Sequence, residues 1–202
     1  MKPLTLQEVV AVYPPMGPYS KAKIRPNLDK YSRQFIGLSP FCVLSTADAE
    51  GRQDVTPRGG TPGFVRVLDD NTIMMPDRPG NNILDSLRNL TTGPGRVGLL
   101  FFIPGFDETL RVNGRAEVLH DAAMCEDYTE FGKPARSVLR IAVEEAYLHC
   151  GKALMRSRLW EADAQQDRMQ MPSISDIIKE QADLDRPSNT HEQVLARNRD
   201  SL

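Results

Sequence analysis

Short runs of alternating apolar and polar residues dominate the middle of the chain and predict an antiparallel β protein. The first run covers residues 41–47, and a turn containing Gly51 leads to a second run over residues 52–56. Further strands are predicted over residues 64–68, 72–75, 96–103, 109–119 and 137–150. Many short strands with few helices favour a closed or nearly closed barrel, because closure removes exposed strand edges.

Helical periodicity is confined to the flanks of these strands. Thr5 and Glu8 have capping-box spacing and predict a short first helix, which Pro14 ends. A second helix is predicted from Asn27 to the residue before Pro40. Further helices are predicted over residues 81–90, 121–129 and 151–160, and Gly114 marks an expected bend or bulge within a strand.

These elements divide the chain into three parts. Residues 1–40 are expected to form an N-terminal helical segment packed on the barrel, and residues 41–162 to form the barrel domain itself. Residues 163–202 form a polar extension in which Ile174, Ile177 and Ile178 predict one short docked helix. We expect the final residues to be mobile.

Composition narrows the class of protein. The net charge of -2 and the aromatic fraction of 6% argue against an oligonucleotide-binding barrel and against any nucleic-acid partner. The N-terminus has no signal-peptide pattern, and the densest apolar run, over residues 97–103, is too short to span a membrane. The three cysteines and three histidines form no metal-ligand pattern. We therefore expect a cytoplasmic protein without a bound metal.

Two neighbouring segments have the residue types that bind an anion. Arg58 is followed by two glycines at the end of a predicted strand, where backbone amides can approach a ligand. Arg78 precedes a predicted helix, and Asn81 and Asn82 lie at the start of that helix, where the N-terminus favours negative charge. Either segment alone is also typical of an exposed turn, but the two together favour a phosphate site.

Two further segments are weaker candidates. Thr109 and Arg111 lie on one side of a predicted strand, as either a ligand groove or an ordinary solvent-facing row. Lys152 and Arg156 are four residues apart on a predicted helix that also contains Trp160. This pair of cations could bind an anion or pair with nearby carboxylates.

These motifs together resemble the flavin-binding split β-barrel proteins related to pyridoxamine 5'-phosphate oxidase, in particular a small bacterial-type subgroup of uncertain substrate. The resemblance covers residues 41–160, and its most specific parts are residues 55–59, 76–82, 108–114 and 149–160. It implies an antiparallel, Greek-key-like barrel with peripheral helices. It also implies a homodimer that binds two FMN molecules between its subunits, with both chains contributing to each site.

The resemblance assigns the following residues to the cofactor site: Thr56, Arg58, Pro76, Asp77, Arg78, Asn81, Asn82, Thr109, Arg111, Lys152, Arg156 and Trp160. The last three would reach the cofactor held mainly by the partner chain. The Arg-x-x-Leu-Leu-Lys strand of true pyridoxamine phosphate oxidases is replaced by residues 54–58, and their C-terminal signature is missing, which argues against oxidation of vitamin B6.

The leading functional hypothesis is an FMN-dependent oxidoreductase that accepts hydride from a small-molecule substrate or a reduced nicotinamide. The cofactor supplies the difficult chemistry in such enzymes, so no catalytic residue is assigned. The alternatives are a non-catalytic flavin-binding or sensor protein, and a related barrel that uses a deazaflavin or haem. The sequence does not distinguish among these hypotheses.

Overall fold

The computed structural model describes residues 2–202, and seven antiparallel strands form a single sheet. The strands are β1 (Phe41–Ala47), β2 (Gln53–Gly59), β3 (Arg66–Asp69), β4 (Thr72–Asp77), β5 (Arg96–Phe102), β6 (Thr109–Leu119) and β7 (Ser137–His149). All seven predicted strands are confirmed, and their ends differ from the prediction by a few residues.

The strand order across the sheet is β2-β1-β5-β6-β7-β4-β3. The chain crosses from one edge strand, β2, to the other, β3, and later returns from β4 to β5 through a helix. These two crossings depart from a simple up-and-down meander and agree with the expected split barrel with helices around it. The barrel is not closed, because the two edge strands do not pair with each other.

Prolines help to keep the barrel split. Strand β3 pairs with β4 only as far as Met74, so the end of β4 has no neighbouring strand on that side. Pro76 lies in this unpaired end of β4, and Pro57 lies in the edge strand β2. Proline has no N–H group to donate, and in sheets it is confined to edges and strand ends. Both residues therefore oppose further pairing, and a gap between β2 and β4 remains.

The alternating residues of the strands supply one central core. In β1, Cys42 and Leu44 are buried while their neighbours are only partly covered, and Leu99 and Phe101 repeat the pattern in β5. Gly114 sits at a register shift between β6 and β7, as expected, but the extra residue of the bulge is Glu144 of β7. This bulge lets two long strands bend around the core.

Residues 2–202 contain eight α-helices: α1 (Leu6–Val12), α2 (Pro18–Ala22), α3 (Lys30–Leu38), α4 (Asp85–Thr92), α5 (Ala122–Asp127), α6 (Lys152–Ser157), α7 (Ile174–Gln181) and α8 (His191–Ser201). No helix in residues 2–202 is long and apolar enough to cross a membrane.

The N-terminal segment packs on the barrel only in part. The predicted capping box of Thr5 and Glu8 is present, but neither α1 nor α2 has a buried residue. Contact with the sheet begins where Arg25 exchanges two backbone hydrogen bonds with Ala146 of β7. Helix α3 then packs on the barrel, and it begins later than predicted because Asp29 caps it.

The C-terminal extension is more structured than the sequence prediction. The predicted helix around Ile174 is confirmed as α7. The last residues, which we expected to be mobile, form α8, and Thr190 and Gln193 make a capping box at its start. Val194 of α8 is buried. The prediction missed this helix because its apolar positions are few.

Candidate cofactor site between strands β2 and β4

A cavity of about 570 Å³ opens in the gap between β2 and the segment that links β4 to α4. Its volume is within the range of small-molecule and cofactor sites, roughly 300–1,000 Å³. Seven of the predicted site residues line it: Thr56, Arg58, Pro76, Asp77, Arg78, Asn81 and Asn82. The two segments that the sequence marked as a phosphate site therefore meet in one cavity.

An ion pair crosses the gap between the two strands. Arg58 Nη1 donates to Asp77 Oδ1 over 2.5 Å, although β2 and β4 share no backbone hydrogen bond. Both side chains are largely covered, with 19% and 9% of their surface exposed. A pair with this little access to water is screened less than one on the surface. It fixes the positions of both residues at the base of the cavity.

Arg78 is held by a residue that the sequence analysis missed. Its Nη2 lies 2.8 Å from Glu130 Oε2 and donates to the Tyr128 carbonyl oxygen over 2.9 Å. The other Glu130 oxygen accepts from the Thr61 backbone N–H. Glu130 therefore ties the loop after β2 to the end of β4. Nothing in the local sequence of Glu130 marks it, because its role depends on residues distant in the chain.

The segment after Arg78 has a strained backbone. Asn82 and Leu84 have φ angles of 59° and 66°, which are unusual for residues other than glycine. The predicted helix start at Asn81 is wrong: Asn81 accepts a hydrogen bond from the Ile83 N–H in a local turn, and α4 begins only at Asp85. Such strain is common at ligand sites.

A third arginine, Arg136, also lines the cavity and was not predicted. Its Nη1 donates to Asn82 Oδ1 over 3.2 Å. The backbone around it is fixed on two sides, since its N–H donates to the Asp77 carbonyl oxygen and its own carbonyl oxygen lies 2.8 Å from His120 Nδ1. No sequence motif marks this residue, because it lies between α5 and β7 and far along the chain from the other lining residues.

Two donors near the cavity lack partners. The buried Nε atoms of Arg58 and Arg78 have no hydrogen-bond acceptor among the described residues. Buried polar atoms in proteins are nearly always hydrogen-bonded, so an unpaired donor beside a cavity indicates room for an acceptor. The cavity also has apolar surface from Val55, Pro57 and Ile83. This combination fits a ligand with an anionic group and a flat apolar part.

The other five predicted residues lie elsewhere. Thr109 is buried and pairs with His149 at the end of β7 opposite to Ser137, which pairs with Asp77. At about 3.3 Å per residue, these two ends of β7 are separated by roughly 40 Å along the strand. None of Thr109, Arg111, Lys152, Arg156 and Trp160 lines the cavity of its own chain.

Two of these five residues have side-chain hydrogen bonds to nearby residues. Arg111 Nη1 donates to the Tyr147 hydroxyl over 2.9 Å, and Trp160 Nε1 donates to the Phe106 carbonyl oxygen over 2.7 Å. Lys152 and Arg156 are exposed on α6. That helix ends at Ser157 rather than at residue 160, because Arg158 adopts the left-handed conformation.

Cys42, whose pKa is affected by Arg58, and His149, which pairs with Thr109, have shifted pKa values. Burial raises the pKa of the Cys42 thiol to about 12, against a smaller opposing effect of Arg58, so this thiol stays protonated. Burial, with help from Arg111 and Lys23, lowers the pKa of His149. His149 is therefore neutral at neutral pH.

The open antiparallel sheet, with a cavity at its split, defines the class of the molecule as a split β-barrel. Residues 28–150 match the model of the pyridoxamine 5'-phosphate oxidase family. This match covers more than half of the 202 residues. The chain belongs to the pyridoxamine 5'-phosphate oxidase family.

Several solved structures are similar to the chain at low sequence identity. HupZ of Group A Streptococcus is 18% identical, with a TM-score of 0.47 over 60% of this chain and 93% of that chain. A Clostridium acetobutylicum protein related to general stress protein 26 is 15% identical, with a TM-score of 0.44 over 59% and 85%. An F420 reductase is 13% identical, with a TM-score of 0.45 over 59% and 98%. No curated protein matches the chain.

Proposed function

We propose that the chain is an FMN-binding oxidoreductase whose cofactor occupies the cavity between β2 and β4. The observation that carries this proposal is the meeting of Arg58, Arg78 and Arg136 in one cavity of about 570 Å³. Guanidinium groups recognise phosphate through charge-assisted hydrogen bonds. Membership of the family supports the same cofactor class.

Different lining residues suit the two parts of FMN, the phosphate and the flavin ring. The arginines and the amide of Asn82 suit the phosphate, while Val55 and Pro57 offer apolar surface to a flat ring. Thr56 and the free Nε atom of Arg58 supply polar groups to the ring edge. When bound, FMN supplies hydride or electron transfer. The protein holds the ring, binds the phosphate and keeps water from one face.

A haem is less well supported at this cavity. Haem iron is held in proteins by His, Cys, Met or Tyr side chains. None of these residue types is among the described residues that line the cavity. A deazaflavin is a closer alternative, because the same anion-binding groups and apolar surface suit its ring and its charged tail.

We further propose that the active form is a homodimer. The sheet face opposite the core carries Phe41, Val43, Leu100 and Phe102 side by side across β1 and β5. Phe41 is 39% exposed, and Val55 on the neighbouring strand is 68% exposed. An exposed apolar patch of this kind is typical of a protein interface.

A second copy is the occupant that best explains this face. Arg111 pairs with Leu100 and therefore lies in the same row of the sheet, beside the apolar patch. It is one of the five predicted cofactor residues that lie away from the cavity of their own chain. If one copy packs on another through this face, Arg111 approaches the partner's cavity, and each site is completed by both chains. Most dimers of identical chains use the same patch on both copies.

Anaerobic reduction tests the oxidoreductase assignment. The protein is loaded with FMN, freed of excess cofactor, and mixed with reduced nicotinamides, with and without a second acceptor. We expect the absorption band of oxidised flavin to disappear with a suitable donor and to return with the acceptor. Firmly bound flavin that no donor reduces would instead support a non-catalytic flavin-binding or sensor protein. A parallel titration with a deazaflavin decides between the two cofactors.

A further inference from the structure

The three arginines of the cavity differ in their charge balance. Arg58 is paired with Asp77, and Arg78 with Glu130. Both carboxylates are buried beside their partners, so each pair is close to neutral as a unit. Arg136 forms no ion pair with any carboxylate in the part of the chain that the structure describes. Among the three arginines of the cavity, Arg136 is therefore the one whose charge is not neutralised by an ion pair.

Hydrogen bonds also fix the backbone of Arg136 beside the cavity. The backbone hydrogen bonds to Asp77 and His120 fix its Cα position at the end of β4. Its exposed side chain makes one hydrogen bond, to the neutral amide of Asn82. A guanidinium has five N–H donors, so most of the donors of Arg136 remain available to a ligand.

We propose that Arg136 binds the phosphate group of the cofactor and selects phosphorylated flavin over flavin without a phosphate. This inference rests on the proposed function. Arg58 and Arg78 each share their charge with a carboxylate, so a phosphate gains less electrostatic stabilisation from either of them than from an unpaired cation. At Arg136 it meets an unpaired cation, and the bidentate geometry that guanidinium offers to phosphate is open there.

The experiment compares the affinity for FMN with the affinity for riboflavin, which has the same ring without the phosphate. We expect R136Q to weaken FMN binding by at least about tenfold and to leave riboflavin binding nearly unchanged. R136K keeps the positive charge and should retain most of the preference for FMN. R140Q is the matched control, because Arg140 is also an exposed arginine and lies only four residues further along the chain, in β7, but is paired with Glu117 and lies outside the cavity lining.

Two results would overturn the inference while leaving the proposed function intact. One is an R136Q variant that keeps the wild-type ratio of FMN to riboflavin affinity. The other is an equal loss of both affinities, which would assign Arg136 a role in the shape of the loop alone. Circular dichroism of each variant confirms that it is folded.

The proposed function fails separately if the wild-type protein binds neither flavin. In that case a calorimetric titration with inorganic phosphate still tests Arg136. Phosphate binding that R136Q abolishes and R140Q retains supports Arg136 as the anion-binding residue. The absence of phosphate binding to the wild-type protein would overturn the inference as well.

Discussion

Arg58 and Asp77 join two strands that share no backbone hydrogen bond, so this pair holds the gap of the barrel at a fixed width. We expect D77A to lower the free energy of unfolding of the cofactor-free protein by roughly 2–3 kcal/mol, because it leaves a largely buried cation without its partner. Urea unfolding monitored by circular dichroism measures the change.

An exposed ion pair provides the control for this substitution. Arg52 and Glu50 lie 3.1 Å apart, and more than half of each side chain is exposed. We expect E50A to change the free energy of unfolding by less than about 1 kcal/mol. Equal effects of D77A and E50A would contradict a structural role for the buried pair.

The lowered pKa of His149 predicts how the free energy of unfolding changes in acid. Its pKa is lowered in the folded protein by burial and by Arg111 and Lys23, so the unfolded state takes up the proton first. The stability that the neutral imidazole contributes is present above the unfolded pKa of about 6.5 and is lost as the pH falls below that value toward the folded pKa.

We therefore expect H149Q to lose less stability than the wild-type protein between neutral and mildly acidic pH. Urea unfolding at a series of pH values measures this difference. A direct NMR titration of His149 gives the folded pKa. A folded pKa of His149 above that of histidine in a model peptide would contradict this explanation of the pH dependence.

At the scale of elements, the bulge at Glu144 of β7 depends on a glycine in the facing strand β6. A Cβ atom at Gly114 would stand 2.1 Å from the Ala142 carbonyl oxygen of β7, whereas one at Gly37 in α3 meets nothing within 4 Å. We expect G114A to cost about 2 kcal/mol or more, because two backbones must separate. G37A should be neutral or stabilising, since alanine is the better helix former. Urea unfolding of the two variants tests the contrast.

The strands were the part of the fold that the sequence predicted best. Alternation with period two, as in β1 and β5, marks both the element and the face that is buried. Helix boundaries were less predictable. The residues before α4 have helical spacing, but Asn82 and Leu84 adopt left-handed conformations there. Tertiary packing, which local sequence does not encode, favours that conformation over another helical turn.

The candidate site was predicted where its residues are adjacent in sequence and missed where they are not. Arg58 and Arg78 lie in compact motifs with glycine and proline, and both line the cavity. Glu130 and Arg136 flank the same cavity from a segment without a motif. Their charges become informative only after the fold brings them to Arg78 and Asn82.

At the scale of the whole molecule, the apolar outer face predicts self-association. We expect F41D to shift the protein from dimer to monomer and to weaken FMN binding, because it places a charge in the proposed interface between two copies. L68D is the matched control, since Leu68 in β3 is 59% exposed but lies at the other edge of the sheet. Sedimentation velocity measures both variants. A wild-type monomer, or a dimer that F41D leaves intact, would contradict this interface.

Retention of FMN by the purified protein is the most direct test of the proposal that the cavity between β2 and β4 binds this cofactor. The purified protein is mixed with FMN and passed through a gel-filtration column, and the absorption spectrum and the elution volume of the protein peak are recorded. We expect the protein peak to have the spectrum of oxidised flavin, with one FMN per chain, and to elute as a dimer. A folded protein that emerges colourless after this treatment would contradict the assignment of the cavity between β2 and β4 to FMN.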